Sequence, residues 1–406
     1  MSNINLYDFT TSASREKTNA EKYILRNELF GTKDVTPVWV ADMDIDTPSF
    51  VLNAVKERLN HPIIGYEEVP KSAFQAQKIW MKREHNFSFE LEDILYSHSV
   101  VASMNVAIEA FSNIGDKIIV QTPVYPPFFH SVIKHQRTLL KNPLKQKKSG
   151  KYYFDIEDLR SKIDKDTKLL LLCSPHNPVG RVWTKEELEE ILAICLEYNI
   201  VVFSDEIHSD LVYKPNKHIP FSSLSAKAKE ITVTAIGVGK TFNMAGFAMS
   251  SVVIHNKELR KRFLDIYKSI HFAQGSVLSH IAFESAYKNG KKWLVELKLH
   301  LYKNYAMLQK VCEKYPSLIK LTPIEATYLA WLDCRGMGFR DRHLRDFFIK
   351  DVKLGLNAGI SFSKEGSGFM RLNFAVSYNQ MLDIITLLEK GLDQLLKCRL
   401  RTNKEN

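Results

Sequence analysis

The sequence predicts an α/β protein with a mainly parallel sheet, helices on both of its faces, and a smaller α+β domain. Three observations predict it. Short apolar runs end on polar or turn residues, helical patterns lie between several of them, and the texture changes near residue 256. Strands that alternate with helices build parallel sheets whose two faces are both buried.

The strands read in order as "KIIVQTPVYPP" (117–127), "KLLLLCSPHNP" (168–178), "NIVVFSDEIH" (199–208), "ITVTAIGVGK" (231–240) and "SSVVIHN" (250–256). Each apolar stretch is too short for a helix. The clearest helix between them is "TKEELEEILAICLEYN" (184–199). Thr184 is its N-cap, and Glu187, three residues on, completes a capping box. Beyond 256, helical stretches at 257–269, 276–289 and 291–314 precede the strand-and-turn segment "LIKLTPIEATYLAWLDC" (318–334). "GFMRLNFAVS" and a last helix around 378–396 follow. The expected organisation is an N-terminal segment, 1–45, joining the small domain; a large domain, 46–285; a small C-terminal domain, 286–396; and a flexible tail, 397–406.

The chain has 406 residues, 45% hydrophobic and 25% charged, ample for a large core. No apolar run approaches the roughly 18 residues of a membrane span. The start, "MSNINLYDFTTSASREK", carries no signal-peptide core. A soluble, cytoplasmic protein with no membrane partner is expected. Cys173, Cys195, Cys312, Cys334 and Cys398 are scattered and form no C-x-x-C pair, which argues against a disulfide framework or a zinc site. The formal net charge of +10 has basic clusters at 141–151 and 397–406. Without an aromatic-interleaved basic stripe these read as a solvated loop and a tail, not a nucleic-acid surface.

In open α/β sheets ligands bind beyond the carboxyl ends of the strands. Four successive strand ends here carry Tyr125, Asn177, Asp205 and Lys240. Each alone has a plain structural reading: a core aromatic, a turn residue, a helix N-cap, a surface lysine. An aromatic, an amide, a carboxylate and an amine on one rim are much harder to obtain by accident. The Gly-Lys-Thr at 239–241 is not a nucleotide P-loop, because the glycine required five residues earlier is Thr234. Small residues around a lysine at a strand end also suit an amine approached by a flat, bulky carbonyl compound.

"VYPPF", "SPHNPVGRVW", "SDEIHSDL", "KTFNMAGF" and "RLNFA", in this order and spacing, resemble the fold-type I pyridoxal-phosphate enzymes of the aspartate-aminotransferase superfamily. The resemblance is stronger to the MalY/PatB branch of cystathionine and cysteine-S-conjugate β-lyases, and it covers nearly the whole chain, from "PVWVADMDIDTP" to "GFMRLNFA". It implies a three-layer αβα fold, pyridoxal 5′-phosphate held as a Schiff base by Lys240, and Lys240 again as the base at the substrate Cα. Asp205 is implied at the pyridine nitrogen, Asn177 at the phenolic oxygen with His208 beside it, and Ile207 and Tyr125 on the two ring faces. Val100 and Val101, in "SHSVVASMNVAIEAF" (97–111), are implied to give N–H groups to the phosphate. Tyr66 is implied to reach that phosphate from the neighbouring subunit of a homodimer. Arg371 is implied to fork the substrate carboxylate, with Ala41, in "WVADMD", and Asn357 lining the substrate side.

Departures from the family pattern stand at Gly237 and Gly239, where relatives carry hydroxyls, and at Ser99, Ala102 and Ala326. Each hydroxyl lost from the phosphate site is expected to weaken cofactor binding by roughly 1 kcal/mol. The implied reaction is β-elimination from an amino acid bearing a thiolate leaving group. The alternative is transamination to a 2-oxo acid. No second arginine is identifiable for a side-chain carboxylate, which disfavours a dicarboxylic transaminase. A purely regulatory protein on the same fold is disfavoured by the retained Lys240, Asp205 and Asn177 and by the lack of a visible DNA-binding appendage.

Overall fold

The computed structural model describes residues 7–270 and 275–405. Its centre is a seven-stranded sheet made of β1 (Ile94–Ser97), β2 (Lys117–Thr122), β3 (Thr138–Pro143), β4 (Thr167–Cys173), β5 (Val201–Asp205), β6 (Thr232–Gly237) and β7 (Ser250–Val253). The spatial order is β1-β7-β6-β5-β4-β2-β3. All neighbours are parallel except β7, which runs antiparallel to both β6 and β1.

Alternation along the strands explains why both faces are covered. Ile118, Val120, Leu169, Leu171, Phe203 and Val233 pack into one core with the helix Val100–Phe111. Their chain neighbours Ile119, Leu170, Leu172 and Val202 pack into another with the helix Lys185–Glu197. Successive side chains of a strand point to opposite faces, so an uninterrupted apolar run feeds two cores at once. The capping box holds: Glu187 N–H donates to Thr184 Oγ1 at 3.3 Å and Thr184 N–H to Glu187 Oε2 at 2.9 Å.

A second, antiparallel sheet of four short strands draws on residues 320–373. The N-terminal segment joins this part of the chain. Thr36–Pro37 pairs with Leu354–Gly355, and Asp44 bridges to Val376. The last helix is longer than expected, running Tyr378–Glu405 through the segment read as a tail, because the chain continues with helix formers and meets neither proline nor glycine after Gly391. Residues 1–6 of the N-terminal segment and Asn406 lie outside the described residues. Among the described residues no helix is long and apolar enough to cross a membrane. Cys173, Cys195, Cys312 and Cys334 are buried free thiols.

Candidate active site

The expected strand-end residues converge, though most sit in the turns just past their strands. Tyr125 is three residues beyond β2, Asn177 four beyond β4 and Lys240 three beyond β6, while Asp205 closes β5 itself. Together they line a cavity of ≈ 220 Å³, joined by Val100, Val101, Ile207, His208 and Ala41. Asn357 and Arg371 stand behind this lining. Tyr66 does not reach it and is fully exposed, in a non-helical stretch with the exposed Ile63 and Ile64.

Lys240 donates from Nζ to the Ala41 carbonyl at 2.6 Å, and Tyr328 Oη donates to the same oxygen at 2.9 Å. Burial brings the Lys240 amine down to about 8; Asp42 and Asp205 pull the other way, while Arg371 and Lys22 add to the depression. Asp205 moves oppositely, up to about 7. Burial dominates there, and the Ile207 N–H at 3.1 Å together with Lys240 offsets part of it. His208 falls to about 3, through burial first and then Lys240 and Arg371, so it is neutral at ordinary pH. Its Nδ1 is buried with no partner among the described residues.

Arg371, on the central strand of the second sheet, is 4% exposed, and burial lowers it to about 10. Nη1 donates to Asn177 Oδ1 at 3.1 Å, and Nη2 donates to the Trp39 carbonyl and to Asn357 Oδ1, both at 2.7 Å. Its Nε has no partner among the described residues. Arginine only donates, so Asn177 must present its oxygen to Arg371, which leaves the amide NH₂ for the cavity. Asn357 is thereby a holder of the arginine.

The segment 39–42 binds the site through its main chain. The Trp39 carbonyl accepts from Arg371, that of Val40 from Asn373, that of Ala41 from Lys240 and Tyr328, and that of Asp42 from Lys22 and Asn373. Ala41 is thus an acceptor for the amine rather than only a wall.

The helix Val100–Phe111 begins in the cavity wall. Ser99 is its N-cap and accepts from Ala102 N–H at 3.1 Å, which gives the departures at these two positions a local purpose. Val100 and Val101, the first two helical residues, have N–H groups that no helix can satisfy internally, an arrangement suited to an anion. The residues therefore offer an amine, a ring-sized gap, a carboxylate, an amide donor and anion-ready N–H groups. This donor set fits a flat phosphorylated pyridine aldehyde.

Sequence reasoning missed Tyr328, His98 and Ser250, all in contact with this arrangement. Tyr328 lies in the strand-and-turn segment 318–334, where nothing local marks it as a site residue. His98 and Ser250 carry no spacing signal; the fold alone brings Ser250 beside Ser97, 153 positions away.

The aminotransferase class I and II family model matches residues 40–386. Cystathionine beta-lyase PatB of Bacillus subtilis is 37% identical over 386 residues, covering 95% of this chain and all of that protein. Among solved structures, cystalysin from Treponema denticola, which contains pyridoxal 5′-phosphate, superposes with a TM-score of 0.93 at 33% identity, covering 96% of this chain and 100% of its own. The pyridoxal-phosphate-bound C–S lyase from Staphylococcus hominis superposes at 0.87 with 32% identity, over 95% and 98% of the two chains. The family match and the near-complete coverage agree with the strand-end constellation, and the chain belongs to the pyridoxal-phosphate-dependent class I and II aminotransferase family.

Proposed function

We propose that the protein is a pyridoxal-phosphate-dependent carbon–sulfur β-lyase. It cleaves L-cystathionine or related cysteine S-conjugates, with water, to a thiol, pyruvate and ammonia. The observation that carries this is the half-buried, depressed Lys240 amine facing one cavity with Asp205 and Asn177, with Arg371 behind them. The relatives whose names state C–S cleavage support elimination over transamination.

When bound, the cofactor supplies a conjugated ring that accepts the electron pair left on the substrate Cα. Lys240 holds the cofactor and then takes the Cα proton on Nζ. An amine near 8 is partly neutral at physiological pH, as a base requires. Asp205 would hold a proton on the ring nitrogen, and facing that cation would return the Asp205 carboxyl toward its ionised form. The Asn177 amide would donate to the phenolic oxygen, with neutral His208 beside it. Ile207 and Tyr125 would hold the two ring faces, and the Val100 and Val101 N–H groups would hold the phosphate. Arg371 meets the substrate carboxylate with its free Nε and one Nη, exchanging the Trp39 carbonyl for a charged acceptor. Exposed Tyr66, flanked by Ile63 and Ile64, completes the site of a partner protomer, so the active form is a cytoplasmic homodimer.

The test is incubation of the purified, cofactor-loaded protein with L-cystathionine, with and without 2-oxoglutarate. Pyruvate and a free thiol are expected without the oxo acid. A strict requirement for 2-oxoglutarate would replace the lyase by an aminotransferase.

A further inference from the structure

We propose that the Ser250 hydroxyl is a phosphate-binding group of this site, and that Gly237 lacks a side chain because Ser250 occupies its space. This rests on the reading of the cavity as a pyridoxal-phosphate site.

Ser250 opens β7 at the row where it pairs with Gly237 of β6 on one side and Ser97 of β1 on the other. Directly paired residues project from the same face of a sheet. A Cβ added at Gly237 would lie 2.9 Å from Ser250 Cβ and 3.1 Å from Ile207 Cδ1. The first of these distances is too short, so positions 237 and 250 share room for one side chain. The chain places it on 250.

The row leads to the anion end of the cavity. Ser97 donates from Oγ to the Ser99 carbonyl at 2.9 Å, and Ser99 is the N-cap of the helix whose first residues, Val100 and Val101, line the same cavity as Ser250. Among the described residues lining it, Lys240 is the single lysine and there is no arginine. His98 is there too, but burial holds its imidazole below the ordinary value. A phosphate at this end must be held largely by neutral donors, and each hydroxyl weighs more for that. Ser250 is buried, and its hydroxyl donates to the Ser97 carbonyl at 3.3 Å. That is long for an O–H···O bond, so the rotor can turn its proton to an anion at little cost.

Equilibrium binding to the full-length apoprotein, followed by absorbance and tryptophan fluorescence, tests this with two probes: pyridoxal phosphate and pyridoxal, which lacks the phosphate. Ser250→Ala should weaken pyridoxal phosphate about ten-fold and leave pyridoxal unchanged. Gly237→Ser alone should also weaken pyridoxal phosphate, because the new Cβ displaces Ser250. The double variant Gly237→Ser, Ser250→Gly should recover most of the affinity by returning one hydroxyl to the same row. Ser250→Ala binding pyridoxal phosphate like the parent, or losing both probes equally, overturns the proposal and leaves the cofactor site standing. A parent protein that binds neither probe removes the cofactor reading, and this proposal with it.

Discussion

Two groups of buried charge meet at the 39–44 segment and differ in how they are satisfied. On the N-terminal side, fully buried Lys22 lies 2.8 Å from Asp42 and 3.1 Å from Asp44, and Arg15 reaches the same two carboxylates at 2.7 and 2.9 Å. Each carboxylate has two cations. Burial works against the Asp42 carboxylate, yet Lys22 and Arg15 hold it below its usual value. On the other side, Lys240, Asp205, His208 and Arg371 are all pushed by burial toward their neutral forms. Burial is common to both groups, and only the pairing differs. Paired buried charge is scaffold, whereas buried charge left without its counter-charge marks where a ligand completes the set.

The contrast is broken most severely at Lys240. Lys240→Ala should cost at least about 10³-fold in turnover, since the base disappears, while the melting temperature holds or rises. Parallel loss of stability would show that this lysine is scaffold after all. Lys22→Met should do the reverse. Asp42 and Asp44 would be left with Arg15 alone, at a cost of about 3–5 kcal/mol, read by urea denaturation. Arg371→Lys keeps a cation but loses the fork, and kcat/KM should drop ~10–100-fold, as expected for hydrogen bonds to a charged group. An unchanged value would detach Arg371 from the substrate.

The smallest effect sharpens the contrast through pH. The Asp205 carboxyl in the cofactor-free protein has its folded value raised above the usual 3.8 to about 7. Its contribution to stability is therefore fully present below about pH 4 and lost as pH rises through about 7. Asp42 is depressed, so its contribution is present above the ordinary carboxylate range and lost as pH falls through its lower folded value. Thermal melts of the apoprotein should thus decline between pH 4 and 7, and Asp205→Asn should flatten that decline while leaving the acid limb in place. Cofactor binding should flatten it as well.

Much of the site was legible because its residues follow strands. Tyr125, Asn177, Asp205 and Lys240 each sit at or within four residues of a strand end, and a parallel sheet aligns such ends on one rim. Contacts between distant segments were not legible. Nothing local in "EATYL" places Tyr328 on the carbonyl that holds Lys240, and nothing near Gly237 announces Ser250 thirteen residues on. Tyr66 shows the opposite limit. Its role came from resemblance, and in a single chain it touches no part of the cavity.

The four carbonyls of residues 39–42 have a consequence for sequence drift. Functional side chains read this stretch through oxygens that every amino acid possesses, so Val40 and Ala41 can be exchanged widely without removing an acceptor. Adding or deleting one residue is another matter. It would slide the register by roughly 3.5 Å and misalign the contacts of Arg371, Asn373, Lys240 and Lys22 in a single step. Natural variants should therefore differ at Val40, while agreeing in length across this stretch.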